Sequence, residues 1–167
     1  VEAPVTADDQ AAAIAAMPED ERRAMIASMV EGLAARLAAE PEDPDGWRML
    51  ARSYGVLGRH EESAAAWREA LSRADGNAED WRGLVVALLD QRSEGDNTVS
   101  EEAEAALGEL RGFDPDDPLA LFFLGHAARN RGDVETALKL WGRLRELLPP
   151  DAPIAPSIDQ LIAETSG

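Results

Sequence analysis

The sequence predicts an all-α solenoid, three helix pairs stacked in a row with a capping helix at each end. The first of three observations is a pattern written three times. It runs Trp47, Leu50, Ala51, Tyr54, Gly58, Ser63, Trp67, Ala70; then Trp81, Leu84, Val85, Leu88, Ala103, Leu107, Leu110, Pro115; then Leu121, Leu124, Gly125, Ala128, Gly132, Ala137, Trp141, Leu144, Pro149. Trp47 and Trp81 stand 34 residues apart, and the longer step from Trp81 to Leu121 is explained by a polar loop, Ser93 to Val99, set into the second unit. Second, the composition is 45% apolar, dominated by Ala and Leu, with three Phe and one Tyr, which suits closely packed helices. Third, Gly, Pro, Asp or Asn stands in each turn between the units.

Taken in order, residues Thr6 to Ala16 read as a short Ala-rich helix, with Thr6 and Asp9 as a capping pair and Pro18 as its stop. A longer helix spans about 19–39. Met25, Met29, Leu33 and Leu37 recur every four residues beside Ile26, Val30 and Ala34, a broad apolar stripe, and Glu19, Asp20 and Glu21 suit its N-terminal dipole. The repeats give helices at about 45–57, 61–73, 79–91, 100–111, 119–130 and 134–147. Ser157 with Gln160 reads as a capping box for a last helix over 157–164, whose Ile158, Leu161 and Ile162 cover the final repeat. The domain division is therefore 1–43 for the N-terminal helices, 44–149 for the repeats (44–77, 78–117 with the inserted loop, 118–149) and 150–167 for the C-terminal cap. Within the inserted loop Gly95, Asp96 and Asn97 favour mobility.

This pattern resembles the tetratricopeptide repeat (TPR), in which helices A and B pair over about 34 residues with large, small and closing proline residues at fixed offsets. Gly125 and Ala137 stand where helices A and B must approach closely. The first unit departs at Ser63, where Ala is usual, and at Asp75, where Pro is usual; Ser is small, and Asp75-Gly76-Asn77 is itself a turn signal. Met29, Leu33 and Pro41 match helix B of a preceding degenerate repeat, so helix 19–39 is expected to pack on the first full repeat as its cap.

Chemistry is mostly excluded. With no cysteine there is neither thiol catalysis nor disulfide nor thiolate metal site. A net charge of −17 argues against nucleic acid and leaves either a solvated acidic surface or attraction of a basic partner. No run of about eighteen apolar residues is long enough to span a bilayer and no signal peptide is read in these residues; the start at Val1 is expected to reflect a processed or excised piece of something longer. The two histidines, His60 in a turn and His126 in a helix, lack ligand or nucleophile partners, so no enzyme, cofactor or metal is expected. The stretches Glu42-Asp43-Pro44-Asp45 and Asp114-Pro115-Asp116-Asp117-Pro118 lack the ligand series of a calcium loop and read as turns and N-caps.

The TPR resemblance implies peptide binding in a concave groove lined by the A helices. Its groove positions fall on Asp45, Arg48, Arg52, Gly55 and Val56, on Glu79, Arg82, Gly83, Val86, Leu89 and Asp90, and on Leu119, Phe122, Phe123, His126, Arg129 and Asn130. Of these, Arg48, Arg52, Val56, Arg82, Val86, Leu89, Phe122, His126, Arg129 and Asn130 are the expected contacts. Arg48 and Arg52, one helical turn apart, either hold a chain's terminal carboxylate or pair with acids of neighbouring helices. Adjacent Phe122 and Phe123 cannot both face the groove equally.

A narrower likeness lies at Met25-Ile26-Ala27-Ser28-Met29-Val30-Glu31-Gly32-Leu33-Ala34-Ala35-Arg36-Leu37, then Pro41, Pro44, Asp45-Gly46-Trp47, Leu50-Ala51-Arg52-Ser53-Tyr54 and Val56-Leu57-Gly58. Over about 11–74 the chain resembles the periplasmic domain of the CcmI (CycH) family of cytochrome c maturation proteins. The resemblance implies a periplasmic holding chaperone, anchored in the inner membrane by segments outside this sequence, that binds the C-terminal helix of apocytochrome c and presents it to the haem-ligation complex. A general peptide-binding adaptor or an assembly scaffold of another bacterial complex is the alternative.

Overall fold

Helix starts are written into the turns. The computed structural model describes residues 16–93 and 96–167, and these form eight helices and no strand. They are α1 (Glu19–Ala39), α2 (Pro44–Val56), α3 (His60–Arg73), α4 (Ala78–Leu89), α5 (Glu101–Phe113), α6 (Pro118–Asn130), α7 (Val134–Leu147) and α8 (Ala155–Ser166). Five begin on a side-chain cap. Asp43 accepts from the Gly46 N–H at 2.8 Å, Ser100 from Ala103 at 3.1 Å, Asp117 from Ala120 at 2.9 Å and Asp133 from Thr136 at 3.1 Å. Asn77 and Asp80 form a reciprocal capping box on α4. The Asp-rich stretches thus serve as turns and caps. Gly58 and Gly132, at φ 70° and 80°, occupy the matching left-handed turn positions after α2 and α6, where only glycine is unstrained.

Each helix packs on the next along the chain, and α2 also touches α4, so the A helices of the first two repeats lie side by side. The core is divided. One cluster runs from Val30 and Leu37 through Leu50, Trp67, Val85 and Leu107 to Ala120; another joins Leu121, Ala128, Leu140, Trp141, Leu144 and Ile158 of α6, α7 and α8. In α1 the buried stripe is narrower than its periodicity implies. Val30 and Leu37 are buried with Ile26 and Leu33 against them, whereas Met29 is largely exposed, because among the described residues α1 packs chiefly on α2, and one principal neighbour covers one narrow face.

Arginines tie together elements that are not consecutive along the chain. Arg68 of α3 grips Glu102 of α5 through Nε and Nη2 at 2.5 and 2.9 Å, and Arg143 of α7 holds Asp116 at 2.8 and 2.6 Å. Arg82 of α4 pairs with Asp117, whose side chain is 0% exposed and also caps α6. Replacing Asp117 by alanine removes both roles, though half-exposed Arg82 can turn to water; the expected cost is about 1–2 kcal/mol in urea unfolding. Asn at 117 keeps the capping oxygen and should lose clearly less. Equal losses would mean that the ion pair, not the cap, matters there.

Two expectations are corrected. The last helix starts at Ala155, not Ser157, with Ile154 at its N-cap and no side-chain cap bond. Pro156, which has no N–H to satisfy, fits the first turn and draws the start forward, and Gln160 donates to Glu164 at 2.8 Å instead of closing a capping box. The fourth helix ends at Leu89, two residues early, since Arg92 folds back to donate its main-chain and Nε hydrogens to the Leu89 carbonyl. The inserted loop is tied at its described part. Arg92 Nη1 donates to the carbonyls of Asp96 and Thr98 at 2.7 and 3.1 Å, and Val99 packs on the core. The helix expected over 6–16 lies, apart from Ala16, outside the described residues.

Candidate functional site

Small residues on the facing A helices open a hollow between them. Ala51 and Gly55 of α2 face Gly83 and Ala87 of α4, and without larger side chains the two helices leave a pocket of about 510 Å³. Its floor belongs to α3: Trp67, Ser63 and His60. Gly83 is obligatory for this floor, since a Cβ there would lie 2.3 Å from the Trp67 ring. The sides carry Val56, 86% exposed, and Val86, 42% exposed, so two exposed apolar side chains line one pocket. The charged lining is Arg52, Arg82, Glu79 and Asp90.

The arginines of this face behave differently from one another. Arg48 directs Nε to both Asp80 oxygens at 2.9 and 3.1 Å, Nη2 to Oδ2 at 2.8 Å and Nη1 to Asp45 at 2.8 Å. Asp80 is 1% exposed, and its hydrogen bonds followed by those of Asp45 raise the Arg48 pKa well above its ordinary value. Arg48 is therefore a strut between α2 and α4, its donors engaged by the acids of neighbouring turns. Arg52 meets Glu79 at 2.5 Å in an exposed pair that is worth about 0–1 kcal/mol and is readily exchanged. It also lies 5.8 Å over the Trp67 ring.

Of the sequence-expected contacts, Arg52, Val56, Arg82 and Val86 meet in this one pocket, joined by Gly55 and Gly83. Leu89 does not; it follows Val85 by one helical turn on the same face and is buried in the core with it. Phe122 and His126 line a separate hollow between α6 and α8, and Arg129 and Asn130 line neither. Phe123, at the register position of Gly83, packs on the core with the Arg92 guanidinium 4.7 Å above its ring, so the A-helix face is filled where the second repeat meets the third. Of the adjacent pair, Phe122 is the one that lines a hollow. The contribution of α3 is absent from groove positions counted on A helices. It was signalled by Ala51 and Gly55, and Gly83 and Ala87, small residues one helical turn apart on each A helix that let the pocket reach down to Trp67 of helix B.

No group of three His, Asp or Glu residues is arranged for a metal ion among the described residues. No helix among them is long and apolar enough to cross a membrane. The model of the cytochrome c-type biogenesis protein H TPR domain matches residues 10–155. The chain belongs to that family. Relatives include the cytochrome c-type biogenesis proteins CycH of Rhizobium meliloti, 34% identical over 77% of this chain, and of Bradyrhizobium diazoefficiens, 28% identical over 78%. The chain spans about a third of the length of each, 33% and 35%. Among solved structures, YrrB, a TPR protein with an unusual peptide-binding site, superposes with a TM-score of 0.63 at 16% identity, covering 85% of this chain and 73% of its own. The solenoid predicted from the repeat is thus the fold of this CycH-family TPR domain.

Proposed function

We propose that this domain is a periplasmic holder of apocytochrome c, part of an inner-membrane-anchored protein of cytochrome c maturation. It binds the apocytochrome's C-terminal helix in the groove of its A helices and presents the chain to the haem-ligation complex. The observation that carries the reading is the pocket between α2 and α4: two exposed valines over a tryptophan floor, beside Arg52 and Arg82, in a chain of this family. An amphipathic helix would bury its apolar face on Val56 and Val86. Its terminal carboxylate would displace Glu79 from Arg52, an exchange that exposes no buried charge. Arg48 keeps α2 and α4 at the spacing the pocket needs.

The work done is binding alone. The segment loses ordering entropy and buries apolar surface, and the domain's acidic surface attracts a lysine-rich partner. Once haem is attached and the cytochrome folds, the same apolar face turns inward, so the product leaves. The absence of cysteine keeps the domain out of exchange with the partner's haem-binding thiols.

Calorimetric titration with a C-terminal apocytochrome c peptide tests this directly. Binding of the free-acid peptide should be weakened by C-terminal amidation, and holocytochrome should bind far more weakly than apocytochrome. Indifference to amidation would remove the arginine contact and keep the holder. Equal affinity for apo and holo forms, or no binding, would overturn the proposal in favour of a general adaptor.

A further inference from the structure

The hollow between α6 and α8, about 410 Å³, has a different character from the pocket at the first two repeats. Phe122 and His126 supply one wall and Ile154 and Leu161 of the capping segment supply the other, with Ile154 44% exposed. The two ring residues belong to a row packed edge to face: Phe123 to Phe122 at 4.9 Å and 89°, Phe122 to His126 at 4.7 Å and 69°, His126 to Trp141 at 5.0 Å and 69°. His126 is 4% exposed and its Nε2 has no hydrogen-bond partner. Burial, then Arg129 and Arg92, lower its pKa, so at neutral pH the imidazole is one more uncharged ring, and the same two arginines disfavour a lysine in this place. Glu164, the charged residue of the lining, already accepts from Gln160. Asn97 and Ser157 add uncharged acceptors.

We propose that this hollow is a second peptide socket, which takes one aromatic side chain of the bound segment and fits tyrosine best. The incoming ring packs against the side of the row that Phe122 and His126 turn to the hollow, and its hydroxyl donates to Asn97 or Ser157. This inference rests on the preceding reading only in taking the partner to be a polypeptide. The socket also explains Ile154, an exposed isoleucine beside an aromatic wall, as the side chain that closes over the guest.

The first probe is p-cresol, the tyrosine side chain alone, followed by nuclear magnetic resonance. It should shift the signals of His126 and Leu161. Ser157→Phe, which fills the hollow from an exposed position, should abolish the shifts, and Phe122→Leu, which keeps apolar bulk without the ring, should weaken them about fivefold. Signals that stay still, or that move equally in Ser157→Phe, would overturn the socket. In the second probe, each aromatic residue of the apocytochrome peptide is replaced in turn by leucine. One replacement should lower affinity about fivefold for the unaltered domain and leave Ser157→Phe unchanged; no such dependence would also overturn it. A peptide that fails to bind at all removes the apocytochrome reading, while the p-cresol result still decides the socket.

Discussion

Replacing Trp141 by alanine is expected to destabilise the domain by about 3–5 kcal/mol and to loosen α6, α7 and α8 ahead of the first two repeats. Trp141 is 0% exposed and sits in the second core cluster, whose other large members are Leu121, Leu140, Leu144 and Ile158. Its indole N–H donates to the Phe122 carbonyl at 3.0 Å, so the ring also fixes the approach of α7 to α6. The fit is tight. A Cβ on Gly125 would lie 2.3 Å from the indole nitrogen, and Gly125→Ala should therefore be strongly destabilising in the unaltered chain yet close to neutral once Trp141 is alanine. Urea unfolding gives the energies and hydrogen exchange gives the place. Loss of protection spread evenly from α2 to α8 would show that the two clusters unfold as one unit.

The 34-residue register carried the fold because each of its positions answers to a local rule. Small residues mark close approach, as at Gly125 against Trp141, and Asp43, Asp117 and Asp133 mark helix starts that a side-chain oxygen must cap. The caps act within a few residues and the close approaches within one helix pair, so both survive in a single sequence. The sites of failure differ in cause. Whether Arg48 faces a ligand or Asp80 depends on a residue 32 positions away, on another helix, and both arrangements satisfy the same local pattern. Leu89 followed the groove register but lies in the core, because it falls one helical turn after Val85 on the buried face of α4. At Ser157 a capping motif competed with Pro156, and the proline set the helix start. For the candidate site, the repeat register located the valines and Arg52, while the floor at Trp67 required knowing that four small residues face one another across two helices.

That difference between a core position and a pocket position gives the prediction with the largest effect on binding. Gly55→Leu should leave the fold as stable as before, or more so, and reduce affinity for the apocytochrome peptide by at least about tenfold. Gly55 lies inside α2, where leucine is the better helix former by nearly 1 kcal/mol, and a Cβ there meets only Ser63 Oγ, at an ordinary 3.6 Å. The rest of the side chain must then occupy the pocket itself, over Trp67 and beside Val56 and Val86, where an incoming apolar anchor would bury roughly 1.5–3 kcal/mol of side-chain surface. Gly83→Ala, across the same pocket, should behave in the opposite way. Its Cβ strikes the Trp67 ring, so stability falls together with binding. A general adaptor that used another face would lose nothing in Gly55→Leu, and a merely misfolded variant would lose stability first. Thermal unfolding and calorimetry on the one variant therefore separate the three cases: retained stability with lost affinity is the result that only a ligand seated between α2 and α4 can produce.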